Sequence, residues 1–157
     1  MPSVAFDSEF INIFNKLCEE KDEMTGQSIF KFNWEFMIFL AMVGRHKKES
    51  CSKVEKIPTN RRVKDIKDVT FEQANKVGIV YALGIDQSKG GDILRDDDDN
   101  ESWLYLEKFA QIGMEEVYSW FVEFPTMKPS DLILSKIKEI AESNISKKEF
   151  IKPNFGS

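Results

Sequence analysis

The sequence predicts an all-α protein, a single compact helical domain of about six helices. The chain has 157 residues, a length typical of one domain. Apolar residues make up 41% of it, enough for a packed core, and most recur at the three-and-four spacing of a helix face. No segment shows sustained strand alternation, although one short hairpin could lie within the basic connection described below. We expect the domain to cover 1–145 and a frayed C-terminal tail to cover 146–157.

The first two predicted helices lie in the first third of the chain. The first runs from Ser8 to Glu20, and Asp7 or Ser8 is expected to be its N-cap. The second covers 34–43 and is apolar almost all round, so it should lie at the centre of the domain. Gly44 is expected to end this central apolar helix, because glycine is the usual residue just after a helix C-terminus.

The later helices are predicted at 71–83, 101–112, 114–124 and 129–144. Thr70 and Gln73 have the spacing of a capping box at the start of the third helix. Gly113 is expected to separate the fourth helix from the fifth. Pro125 should end the fifth helix, and Pro129 should occupy the first turn of the last one.

A long basic connection, Arg45–Thr70, separates the second predicted helix from the third. Between positions 45 and 68 it holds nine basic and four acidic residues, a net charge of +5 that leaves −10 for the rest of the chain. Lysine and arginine on one surface can bind nucleic-acid phosphates. The six cations expected to do so are Arg45, Lys47, Lys48, Arg61, Arg62 and Lys64. The alternative is that these charges keep a loop soluble or pair with the acidic remainder of the chain.

The residue types give little support for catalysis, for a metal site or for a cofactor. His46 and Cys51 are the only candidates for a base and a nearby thiol, and no third residue orients them in the sequence. The acidic run 96–99 lacks the alternation of a calcium loop, so we expect it to be solvated. Asp65 and Lys67 have the local form of a metal-dependent nuclease element, but they do not lie on a predicted strand.

The sequence contains no predicted export or membrane segment. The longest apolar run, Phe36–Val43, is much shorter than the roughly 20 residues that cross a bilayer. Residues 1–10 lack the basic and then apolar pattern of a signal peptide. The two cysteines, Cys18 and Cys51, are typical of reduced thiols, so we expect a cytoplasmic protein.

The middle of the chain resembles a known bacterial family. The elements that carry the resemblance are, in order, Ile29-Phe30, the apolar run Phe36–Gly44 with a basic residue after it, the basic connection, Asp92-Ile93-Leu94, and Leu106–Gly113. This order resembles the small Dnd-system-associated proteins, which are encoded beside the bacterial machinery that places phosphorothioate sulfur in DNA. The resemblance spans about 29–121 and implies a role in DNA modification or phage defence, without catalytic residues to carry over.

Together these observations predict a non-enzymatic accessory protein of a bacterial DNA phosphorothioation or restriction system. Its expected partners are DNA, bound through the basic connection, and other proteins of the same system. The alternative is an interaction module or homo-oligomer without DNA contact, which a large exposed apolar surface would favour. A metal-dependent nuclease that uses Asp65 and Lys67 is the third and least favoured hypothesis.

Overall fold

The computed structural model is mostly helical and also contains a small two-stranded antiparallel sheet. It describes residues 2–51, 55–88 and 99–151, and the side chains of the last stretch from 101 to 144. The elements are β1 (Ser3–Asp7), α1 (Ile11–Phe14), α2 (Asn33–Lys47), β2 (Arg62–Lys67), α3 (Asp68–Gln73), α4 (Val77–Ser88), α5 (Asp99–Glu123) and α6 (Pro129–Ile151). The prediction of a mostly helical protein is confirmed, whereas the sheet corrects the all-α class.

The sheet joins the start of the chain to the basic connection. The pairs in register are Ser3 with Lys67, Val4 with Ile66, Phe6 with Val63, and Asp7 with Arg62. Two steps along β1 thus face three along β2, which is a β-bulge, and Lys64 within it has a φ of 56°. The bulge breaks the apolar alternation of β2, and its partner strand lies far away in the sequence. For these reasons the sequence does not reveal β1. β2 does lie within the basic connection, but it pairs with β1 and not, among the described residues, with a second strand of the connection as the suggested hairpin requires.

The helical stretch after β1 begins as predicted. Asp7 is the N-cap, and its Oδ1 accepts a hydrogen bond from the backbone N–H of Glu9 at 3.0 Å. A 3₁₀ turn at Ser8–Phe10, α1, and a π-helical turn at Asn15–Glu19 follow one another without a break. Phe14 and Leu17 are fully buried, so this stretch packs through the apolar face that the sequence predicts.

Helices α2 and α5 approach each other at two glycines. A Cβ at Gly44 would collide with the backbone carbonyl of Phe109, and a Cβ at Gly113 would collide with that of Leu40. Gly44 therefore does not end the second helix, which runs on to Lys47, and Gly113 does not divide α5. The two predicted breaks are wrong because both glycines are needed for a close approach of two backbones.

The burial of α2 is one-sided. Phe36, Met37 and Leu40 are fully buried, whereas the side chain of Met42 is 61% exposed. The prediction of a helix buried all round is therefore wrong for Met42. The buried side is nevertheless central to the core, because Phe36 contacts the rings of Phe6, Phe14 and Phe30.

A break at Asn75 divides the predicted third helix in two. The N–H of Lys76 bonds the carbonyl of Phe71 at 2.9 Å, and the N–H of Asn75 bonds that of Glu72 at 3.0 Å. This is a Schellman motif, and Asn75 has the required positive φ of 60°. Since α3 begins at Asp68, Thr70 lies inside it, and the predicted capping box with Gln73 is wrong.

The chain divides into two compact units, Met1–Ser119 and Trp120–Ser157. The second unit comprises the last residues of α5 together with α6. As predicted, α5 ends shortly before Pro125 and α6 begins at Pro129. Leu132 and Ile133 of α6 are buried, and the Lys136 ammonium lies 5.2 Å from the ring centre of Phe124. Residues 96–98 and 152–157 lie outside the described part, and the single domain over 1–145 stays a prediction.

Candidate functional site

One cation of the basic connection binds a buried carboxylate of α5. Glu107 is only 4% exposed, and its Oε1 accepts the backbone N–H of Ala5 at 2.9 Å. The two carboxylate oxygens lie 2.8 and 3.0 Å from the terminal nitrogens of Arg62. The hydrogen bond to Glu107 raises the pKa of Arg62. Arg62 therefore holds β2 against α5, and its charge is already compensated.

Three more of the six predicted cations form ion pairs at the surface. The pairs are Arg45 with Asp86 at 2.9 Å, Lys47 with Glu116 at 3.4 Å, and Arg61 with Asp7 at 2.8 Å. These cationic side chains keep 36%, 55% and 45% of their surface exposed, respectively. Exposed pairs of this kind contribute about 0–1 kcal/mol each, so another anion could compete for the cations.

The remaining two cations, Lys48 and Lys64, are exposed and have no ion pair with any residue that the structure describes. Lys48 follows the last residue of α2. Lys64 occupies the bulge of β2, where its ammonium lies 5.7 Å from the centre of the Phe14 ring. The six cations thus fall into one structural residue, three weakly paired side chains and two that are available.

A cavity of about 380 Å³ collects several charged groups in the first unit. Its lining includes Phe6, Leu40 and Ala110, which are buried and form an apolar floor. Of the predicted cations, the structure brings Lys48 and Arg61 together here. The other charged residues around it are Lys56, Asp7, Glu9, Glu55 and Glu115. Because the side chains of both signs come from β1, α5 and the connection, the sequence alone does not show that they share a site.

Gln111 of α5 also lines this cavity. Its Nε2 is buried and has no hydrogen-bond partner among the residues that the structure describes. A buried donor without a partner costs about 1–3 kcal/mol, so an acceptor that reached it would bind favourably. Sequence reasoning missed Gln111, because a single amide on an apolar helix has no distinctive spacing.

The residues considered for catalysis do not form a recognisable constellation. His46 is exposed, and Cys51 is buried, which raises the pKa of its thiol. Asp65 and Lys67 do lie on a strand, β2, contrary to the prediction, but Asp65 is 58% exposed and lies 3.8 Å from Arg62. Among the described side chains, no group of three or more His, Cys, Asp or Glu residues is placed to hold a metal ion.

The second unit exposes several apolar side chains. Val122, Leu134 and Ile137 have 61%, 53% and 43% of their surface exposed. Leu134, Ile137 and Ala141 recur at the spacing of one helix face along α6. Within the described residues, no helix combines the length and apolar composition needed to cross a bilayer.

Comparison of the chain with protein-family models, curated proteins and solved structures found no match.

Proposed function

We propose that this chain is a non-enzymatic accessory protein that binds the DNA backbone in a bacterial phosphorothioation or restriction system. The observation that carries the proposal is that four of the six predicted cations are exposed, that the half-buried Arg45 keeps 36% of its side chain exposed, and that Lys48 and Lys64 have no ion pair with a described residue. The resemblance to the Dnd-system-associated proteins supports the process. Arg62 is set aside, because Glu107 already compensates its charge.

The weakness of the surface pairs makes DNA contact energetically accessible. Moving Arg45, Lys47 or Arg61 from a carboxylate to a phosphate gives up only about 0–1 kcal/mol per pair. Each phosphate contact contributes about −0.9 to the slope of log affinity against log salt. Five contacts predict a slope of about −4.5, so affinity should fall roughly 500-fold between about 50 and 200 mM salt.

A salt titration by fluorescence anisotropy tests the proposal. The protein is titrated against one duplex that carries phosphorothioate linkages and against the same duplex without them. We expect the double variant Lys48→Gln/Lys64→Gln to make the slope shallower by about 2. Preference for the sulfur-bearing duplex would tie the binding to the modification.

The matched control is Lys21→Gln/Lys76→Gln, which removes the same charge from exposed lysines outside the connection. The control should keep the wild-type slope. If both double variants lose affinity equally, the binding reflects net charge and the assignment to the connection is wrong. Absence of binding at low salt would overturn DNA binding altogether.

The exposed face of α6 favours a second candidate, self-association through a second copy of this chain. Leu134 and Ile137 lie exposed on α6, with Asp131 and Lys138 beside Leu134 around a shallow groove. If two α6 helices pack antiparallel and cross next to Leu134, Asp131 of one copy faces Lys138 of the other, twice by symmetry. This charge complementarity favours another copy over an unrelated protein.

Light scattering coupled to size-exclusion chromatography tests the second candidate. A dimer is expected for the wild type and a monomer for Leu134→Glu. The matched control is Met42→Glu, because Met42 is exposed to a similar extent on α2 in the first unit. A monomeric wild type, or equal loss of the dimer in both variants, would contradict the α6 interface.

A further inference from the structure

The cavity lined by Lys48 and Gln111 has the properties of a small-molecule site. We infer that it binds a zwitterionic molecule, a free α-amino acid with an apolar side chain. Its volume of about 380 Å³ is suited to a ligand of this size. Lys48 and Arg61 also belong to the proposed DNA-binding cations, but the inference rests in addition on Gln111, Lys56, Glu55 and Glu115 and concerns a ligand of different charge, so either proposal can fail without the other.

The floor of the cavity accounts for the apolar part of the ligand. Phe6, Leu40 and Ala110 line it, and all three are buried in the core. Met114 lines it as well and is likewise buried. An aliphatic, thioether or aromatic side chain placed against these groups would be removed from water, which contributes about 25 cal/mol for each Å² buried.

The charges around the cavity disfavour a ligand that carries only positive or only negative charge. Arg61 is paired with Asp7 at 2.8 Å and lies 4.0 Å from Glu9. The charges left over are two lysines and two glutamates, none of which has an ion pair with a described residue: Lys48, Lys56, Glu55 and Glu115. Inside the cavity the glutamates would repel a small anion such as inorganic phosphate, and the lysines would repel a simple amine. A molecule with one carboxylate and one ammonium matches both sets.

Gln111 supplies the directional contact that charge alone does not give. Its buried Nε2 has no hydrogen-bond partner in the described part of the chain, although the residue lines the cavity. If the Gln111 side chain turns towards the cavity, the ligand carboxylate could accept this hydrogen bond while Lys48 or Lys56 balances its charge. Glu55 or Glu115 would then balance the charge of the amino group.

The test uses ¹⁵N-labelled full-length protein and follows the side-chain amide signals of Gln111 by NMR. L-leucine, L-methionine and L-phenylalanine are titrated in turn to about 10 mM, which covers the weak affinities expected for small ligands. A saturable shift of the Gln111 signals with at least one amino acid is the expected result. No shift with any of the three would overturn the inference.

Two analogues of leucine separate the charges of the ligand. 4-Methylpentanoate lacks the ammonium group and 3-methylbutylamine lacks the carboxylate, and each should bind at least about tenfold more weakly than L-leucine. If either analogue, or inorganic phosphate, binds as tightly as the amino acid, the site does not recognise a zwitterion and the inference is wrong.

Two variants assign the binding to the cavity. Lys48→Met and Glu115→Gln should each weaken binding about tenfold without unfolding the protein, because both side chains are exposed. The matched controls are Lys76→Met and Glu72→Gln, which are exposed and are not among the residues that line the cavity. Equal weakening in a control and its partner variant would show that the effect is not local and would overturn the assignment.

Discussion

The close approach of α2 and α5 predicts the sign of an alanine substitution at Gly113. In an open helix position, replacing glycine by alanine stabilises a protein by about 0.4–1 kcal/mol, because the unfolded chain loses freedom. At Gly113 the added Cβ would collide with the carbonyl group of Leu40 and would lie 3.0 Å from its Cα. Carbon atoms need about 3.5–4.0 Å, so the two helices would have to separate by about 1 Å or more.

The magnitude follows from what that separation does to the core. A radial gap of about 0.5–1 Å forfeits a quarter to a half of the dispersion attraction between facing atoms. Forcing an extra group into a packed core costs about 1–3 kcal/mol. The upper end of this range applies here, because the added methyl group meets backbone atoms and not a flexible side chain. After subtraction of the gain of about 1 kcal/mol from alanine, we expect Gly113→Ala to lose about 2 kcal/mol.

Urea unfolding followed by far-ultraviolet circular dichroism measures this loss. The matched control is Gly78→Ala in α4, where a Cβ has nothing within 4 Å, so that variant should gain about 0.5 kcal/mol. Gly44→Ala should behave like Gly113→Ala. The double variant Gly44→Ala/Gly113→Ala should lose less stability than the sum of the two single losses, because one separation of the helices makes room for both methyl groups. The reasoning fails if Gly113→Ala is as stable as Gly78→Ala.

Three further predictions concern stability. Arg62→Met should lower the free energy of unfolding in urea by about 3–5 kcal/mol, because it leaves the buried Glu107 carboxylate without its cation. If Arg62→Met loses no more stability than Glu107→Gln does, this explanation is wrong. Asn75→Val should lower the stability measured by thermal unfolding by about 1–2 kcal/mol, because position 75 has a φ of 60°. Asn75→Gly should stay near wild type, and equal melting temperatures of the two variants would argue against a positive φ at this position. Burial, with Glu19 and Glu35, raises the pKa of Cys18 from 9.0 to about 12. The neutral thiol therefore stabilises the fold fully below pH 9 and loses this effect as the pH rises towards 12, so stability should fall less over that interval in Cys18→Ala than in wild type.

Elements that depend on local chemistry could be predicted from the sequence. Asp7 caps the first helical stretch because its carboxylate reaches an N–H two residues away. Pro125 and Pro129 mark the end of α5 and the start of α6 because proline restricts its own backbone and the residue before it. In each case the physical cause lies within a few residues of its effect.

Elements that depend on distant partners could not be predicted. Gly44 and Gly113 have the sequence signature of helix stops, and only their meeting across the core shows that they are contact points. β2 is hidden by the bulge at Lys64 and by a partner strand, β1, that lies far from it in the sequence.

The candidate site shows the same division. Composition identified the cations of the basic connection, because charge density is visible in the sequence. Their partners lie on other elements: Asp86 on α4, Glu116 and Glu107 on α5. Which cations are available, and which one is structural, therefore depends on the tertiary fold.

The contact between Ala5 and Glu107 spans 102 positions of the chain, and this has a consequence for synthesis on the ribosome. Translation proceeds at about 5–20 residues per second, so β1 waits roughly 5–20 s for the carboxylate that accepts its N–H. Until β2 is made, Val4 and Phe6, buried in the finished protein, have neither their strand partner nor α5 to cover them, and for the rest of the interval they still lack α5. An unpaired apolar strand is prone to aggregate, so the yield of folded protein should depend on chaperones that hold the nascent N-terminus.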